Sequence, residues 1–113
     1  MDLRAGYLLV DATGRVTVVD WPWVARGPAW LDTAMLLLDV CLHGGHDTEA
    51  LLRRLPLTAD ADPDALTGLY AGLAGFFTDR ARRPPPPGIP TLRAFQRAQA
   101  DALLGWLAER LGR

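Results

Sequence analysis

Near the amino terminus two β-rich runs, YLLVD from Tyr7 and RVTVVD from Arg15, are separated by Ala12, Thr13 and Gly14. Gly14 can take the left-handed conformation that closes a three-residue loop, so residues 7–20 predict a β-hairpin. Pairing Asp11 with Arg15 sets Val10 against Val16 and Leu8 against Val18, which makes one face wholly aliphatic and predicts that it lies on a core. Tyr7, Leu9, Thr17 and Val19 form the other face. The charges of Asp11 and Arg15 are expected to pair beside the turn.

The period then lengthens. After the connection WPWVARGPAW, apolar residues at Leu31, Ala34, Met35, Leu38 and Leu42 predict a helix from about Ala29 to His43, ended by Gly44-Gly45. A short helix is predicted from Asp47 or Thr48 to Leu55, where Pro56 stops it. A third has Asp62 as cap and Pro63 at its first position, with Leu66, Leu69, Tyr70, Leu73, Phe76 and Phe77 on one face. Pro84 to Pro87, extended by Gly88 and Pro90, cannot be helical and predict a stiff polyproline connector over 84–90. Thr91 is expected to cap a last helix through Leu111, with Leu92, Phe95, Gln99, Ala102, Leu103, Trp106 and Leu107 inward. No internal repeat is visible. The expected fold is α+β and mostly helical: one domain over 1–113, a hairpin at 7–20 followed by about four helices in a helical region over 29–112.

Composition narrows the functions open to such a domain. The chain is 50% hydrophobic and 22% charged with net charge −1, an ordinary balance for one soluble core. It gives no electrostatic reason to expect nucleic acid or acidic lipid as a partner. All 12 basic residues are arginine, and lysine, serine and asparagine are absent. Without lysine there is no Walker-loop or strand lysine to grip a phosphate, so residues 1–113 are not a self-contained nucleotide hydrolase or kinase. Without serine there is no serine nucleophile. The lone cysteine, Cys41, forms no internal disulfide, which fits a reducing, cytoplasmic setting. The longest apolar stretch, Ala34 to Leu38, is far short of the roughly 20 residues of a membrane span, and Asp2 and Arg4 do not begin a signal peptide.

Chemistry is expected first at the open end of the hairpin. Asp2 precedes its first strand and Asp20 ends its second, so antiparallel pairing returns both to one edge. Two acids there can hold a divalent cation and orient a hydroxyl, or can be solvated strand-end aspartates. His43 and His46, three apart, have metal-ligand spacing but no further ligand cluster; a solvated helix end is the simpler reading. Cys41 reads as a small core residue. Asp60, Asp62 and Asp64 read as helix-start carboxylates, and Arg80, Arg82 and Arg83 as a helix end matched to the dipole. Trp21 and Trp23 read as packing residues.

The run MDLRAGYLLVDATGRVTVVDWPW, followed by GPAWLDTAMLL and later by LAGFFTDRARRPPPPGIPTLRAFQRAQ, resembles the carboxy-terminal lobe of the aminoglycoside phosphotransferase family, in its actinobacterial-type members. That family has a protein-kinase-like fold and a motif H-x-D-x-x-x-x-N before a hairpin. The resemblance implies that Asp2 is the catalytic aspartate that positions or deprotonates the substrate hydroxyl, and that Asp20 binds the magnesium bridging the nucleotide phosphates. Asp32, in the pattern G-x-x-x-x-D, would brace the catalytic loop. If that loop forms, Arg4 can contact a phosphate or an acidic neighbour, a loop-bracing ion pair being the simpler reading. It implies ATP and Mg2+ as cofactors and a small hydroxyl compound as substrate. Tyr7 stands where the motif has asparagine, and Gly6 where relatives often have aspartate.

The nucleotide-gripping lysine and the adenine hinge belong to a lobe outside residues 1–113, so little activity is expected of this chain. A second reading is a non-catalytic, kinase-derived remnant serving as a binding domain, with an exposed lobe face open to association. Met1 occupies the x of H-x-D. An upstream in-frame histidine codon, preceded by a lysine-containing β-rich segment, is therefore expected if the start lies inside a longer gene.

Overall fold

In the computed structural model, residues 8–18 and 26–112 are described. Strands β1 (Leu8–Val10) and β2 (Val16–Val18) pair antiparallel in the expected register, Leu8↔Val18, Leu9↔Thr17 and Val10↔Val16. Five helices follow: α1 (Leu31–His43), α2 (Thr48–Arg54), α3 (Pro56–Ala59), α4 (Pro63–Ala81) and α5 (Leu92–Arg110). The fold is therefore α+β and mostly helical.

The turn of the hairpin is built by Asp11. Its Oδ1 accepts hydrogen bonds from the Thr13 N–H (2.8 Å), the Thr13 hydroxyl (2.6 Å) and the Arg15 N–H (3.0 Å), while Gly14 takes φ +82°. The expected ion pair gives way to an Asx-type turn, because amides two and four residues away are held in reach and the long Arg15 side chain is not. A second expectation is overturned. Val10 is 67% and Val16 54% exposed, so the aliphatic face does not lie on the core along its length. With three-residue strands, the tip extends away from the helices, and half-buried Leu8 is the residue that reaches α1.

Pro56 both ends α2 and starts α3, adding a helix beyond the four expected. Leu55 is extended (φ −72°, ψ 133°), which is the conformation a residue before proline prefers, and Pro56 then supplies the preset φ of a first helical position. The buried Thr58 hydroxyl ties the two short helices together by donating to the Leu52 carbonyl at 2.6 Å. Asp47 and Asp62 cap α2 and α4 through Ala50 N–H and Asp64 N–H. Thr91 makes no side-chain cap on α5, contrary to expectation: its backbone is already helical (φ −92°, ψ −4°), and a capping hydroxyl requires an extended residue. The connector is not a straight rod either. Gly88 at φ +82° lets Ile89 N–H bond the Pro86 carbonyl, which turns the chain back so that α5 runs beside α4.

The core is a layer of α1, α2, α4 and α5 side chains: Ala34, Leu37, Leu38, Leu52, Leu66, Tyr70, Ala74, Leu103, Trp106 and Leu107. Tyr70 and Trp106 meet at its centre with ring centroids 4.3 Å apart. Phe76 and Phe95, expected inward, are 48% and 37% exposed, because they sit toward the connector end of the α4–α5 pair, beyond the packed layer.

Candidate functional site

Leu8 and Val18, paired across the two strands, form the open end of the hairpin. Asp2 and Asp20, the expected catalytic and metal-binding residues, lie outside the described residues, as do Arg4, Gly6, Tyr7, Trp21 and Trp23. Asp32 is described: it stands half-buried in the first turn of α1, where unpaired backbone N–H groups favour a carboxylate. Upstream of it the chain is set by Leu31 N–H bonding the Pro28 carbonyl and Ala34 N–H bonding that of Trp30.

Where the hairpin meets the helices there is a cavity of about 340 Å³, lined by Leu8, Leu36, Val40, Asp39, His43 and His46 among others. Asp39 is buried on α1. One turn later, His43 Nδ1 lies 2.8 Å from the Asp39 carbonyl oxygen and 3.5 Å from its carboxylate. His43 thus folds back on its own helix, and His46 lies at the same cavity.

On another side of the α1–α2 turn, a second cavity of about 430 Å³ is lined by Cys41, Glu49, Asp101, Gly105, Trp106 and Glu109 together with the turn residues. Burial pushes the Cys41 thiol up from its ordinary value; a hydrogen bond with Thr48 opposes this and the nearby Glu109 charge adds to it. A thiol held protonated is a poor nucleophile, and Cys41 Sγ lies 3.7 Å from the Ala102 carbonyl oxygen. Glu49 is not free to serve a ligand: one oxygen accepts from Arg110 and the other from Trp106 Nε1 at 2.8 Å. Among the described residues, no group of three or more His, Cys, Asp or Glu side chains is placed to hold a metal ion.

Several residues of these regions escaped sequence reasoning. Asp39 was hidden because an acid inside an apolar helical run reads as an exposed interruption; its one available signal was the i,i+4 spacing to His43. The two α5 acids, Asp101 and Glu109, gave no local signal, since they meet Cys41 at a cavity only after α5 packs on α1. Arg80, Arg82 and Arg83 divide: Arg82 and Arg83 both reach the Asp79 carboxylate at 2.7 Å, and Arg80 lies over the Phe76 ring. No helix among the described residues is long and apolar enough to cross a membrane. Comparison of the chain with protein-family models, curated proteins and solved structures finds no match.

Proposed function

We propose that this chain is the carboxy-terminal lobe of an aminoglycoside phosphotransferase-like small-molecule kinase, whose family reaction moves the ATP γ-phosphoryl group to a substrate hydroxyl. The observation that carries the reading is the arrangement of the amino-terminal run: Asp2 and Asp20 flank a hairpin whose strands pair in the register Leu8↔Val18, with Asp32 in the first turn of the helix that follows. In this reading Asp2 orients the hydroxyl and accepts its proton, and Asp20 holds magnesium. Catalysis of this kind rests on positioning and charge neutralisation rather than on covalent chemistry. Exposed Leu9, Val10 and Val16 suit the reading, since a nucleotide lobe would have to rest on such a surface. A lobe whose sequence contains no lysine needs a phosphate-gripping group from elsewhere, and little turnover is expected of residues 1–113 alone.

Calorimetric titration of the purified chain with Mg-ATP tests this. Weak binding, for want of the lysine and the adenine hinge, that disappears in Asp20→Ala and persists in Asp2→Ala is the expected outcome. The reading is sunk if no Mg-ATP binding is found, or if binding is indifferent to Asp20. The second reading, a kinase-derived interaction domain without catalysis, is favoured by Tyr7 at the motif asparagine position, because a neutral phenol is a weak magnesium ligand beside an amide carbonyl.

A further inference from the structure

The connector between α4 and α5 is a ridge of polyproline II backbone, fixed before any partner arrives. Pro84, Pro85 and Pro86 each precede a proline, which turns them away from the helical region, and each ring sets its own φ at about −65°. Pro87 is held by the turn that follows. Its fixed φ, the Pro86 carbonyl accepting from the Ile89 N–H and Gly88 at φ +82° make residues 86–89 a type II turn, in which the residue after the first has polyproline dihedrals. Residues 84–87 thus hold one conformation, and Arg93 ties it to α5 by donating from Nε to the Pro84 carbonyl at 3.1 Å.

A polyproline II helix repeats every three residues, so it presents three edges. Pro84 and Pro87 share one edge, Pro85 stands on the second and Pro86 on the third. Pro86 is half-buried, whereas Pro84, Pro85 and Pro87 are exposed. One edge is therefore seated on the protein and two adjoining edges are left in water. The charge around them has one sign. Residues 80–100 contain Arg80, Arg82, Arg83, Arg93 and Arg97 and no acid. Asp79, the acid next to this stretch, is shared: Arg82 and Arg83 both reach it at 2.7 Å, and the Arg82 side chain stays 72% exposed.

We propose that residues 84–87 are a docking ridge for a partner protein that carries an aromatic-lined polyproline groove with an acidic rim. Two free edges are what such a groove grips, its aromatic rings packing on the prolines. The ridge is already ordered, so docking costs little backbone entropy. Charge complementarity selects the same occupant: Arg82, beside the ridge and holding only a share of one carboxylate, meets the acidic rim. The ridge does not depend on the phosphotransferase reading.

Titration of the isotope-labelled intact chain with recombinant Src-homology 3 and WW domains, followed by amide NMR shifts, tests the ridge, with circular dichroism melts confirming that each variant is folded. At least one of these domains is expected to bind, with shifts centred on Arg82, Arg83, Gly88 and Ile89. Pro85→Ala and Pro87→Ala each remove a ring from a free edge and should weaken binding about tenfold or more. Arg82→Glu should weaken it as well, and more at low salt than at high salt, because the rim contact is screened. Absence of binding by every domain overturns the proposal, as does binding indifferent to Pro85→Ala and Pro87→Ala, or shifts centred on another surface such as the hairpin. Vesicles of phosphatidylserine and phosphatidylcholine form a separate arm. Vesicle binding that needs Arg82 but neither proline, without binding to the domains, would assign this end to a lipid surface and overturn the ridge.

Discussion

Tyr70 is the residue on which most of the core converges. Its ring packs on Trp106, and its hydroxyl donates at 2.8 Å to the carbonyl of Ala34 on α1. The helical period of α4 made Tyr70 inward-facing in the sequence, but its partner, 36 residues away, could not be read there. Burial, the largest influence, pushes the Tyr70 phenol well above its ordinary value of 10.0. The sign of the consequence follows: above about pH 10 the unfolded chain loses this proton while the folded chain keeps it, so stability declines as pH rises through that range. Tyr70→Phe is expected to lose about 1 kcal/mol at neutral pH, the net worth of one hydrogen bond. It should also show a flatter decline in melting temperature between pH 9 and 11, measured beside the wild type.

Among the elements, the hairpin was the most legible and its surroundings the least. Its register and the left-handed Gly14 depend on contacts within a few residues, and local pattern reports those well. Whether its aliphatic face was covered depended on where the helices lie, and period-two alternation carries no such information. Pro56 shows a different failure: proline is read as a stop, although the same fixed φ also starts a helix. The turn has its own pH dependence. Hydrogen bonds from the Thr13 hydroxyl, then from the Arg15 and Thr13 N–H groups, hold the Asp11 carboxyl below its ordinary 3.8. Stability from this source is present above that value and is lost as pH falls below it. Amide resonances of Thr13 and Arg15 should therefore move toward random-coil positions on acidification below pH 4. In Asp11→Ala they should sit there already at neutral pH; wild-type resonances that hold to pH 2 would refute the assignment.

At the scale of the molecule, the helices are joined by a polar clasp at one end of the α4–α5 pair. Arg110, near the carboxy-terminal end of α5, reaches Glu49 on α2, the Thr67 hydroxyl at 2.7 Å and the Pro63 carbonyl at 3.0 Å on α4. The Arg110 side chain is only 10% exposed, so removing its carboxylate partner leaves a charge that water screens poorly. Glu49→Ala is expected to lower the unfolding free energy by about 2 to 3 kcal/mol in urea titration. Glu49→Ala with Arg110→Leu should recover part of that loss, since no uncompensated charge remains. A single variant as stable as the wild type would show that the clasp contributes nothing net.

The hairpin and its register, four of the five helices, the Asp62 cap and the left-handed Gly14 were carried by the sequence, because each is decided largely by atoms within about four residues of one another. Packing was needed to exclude Val10 and Val16 from the core, to bury Asp39 and to bring Glu49 to Arg110 across 61 residues. Such outcomes depend on which face another element covers. That is settled by the sum of many distant apolar contacts, and no local period encodes the sum.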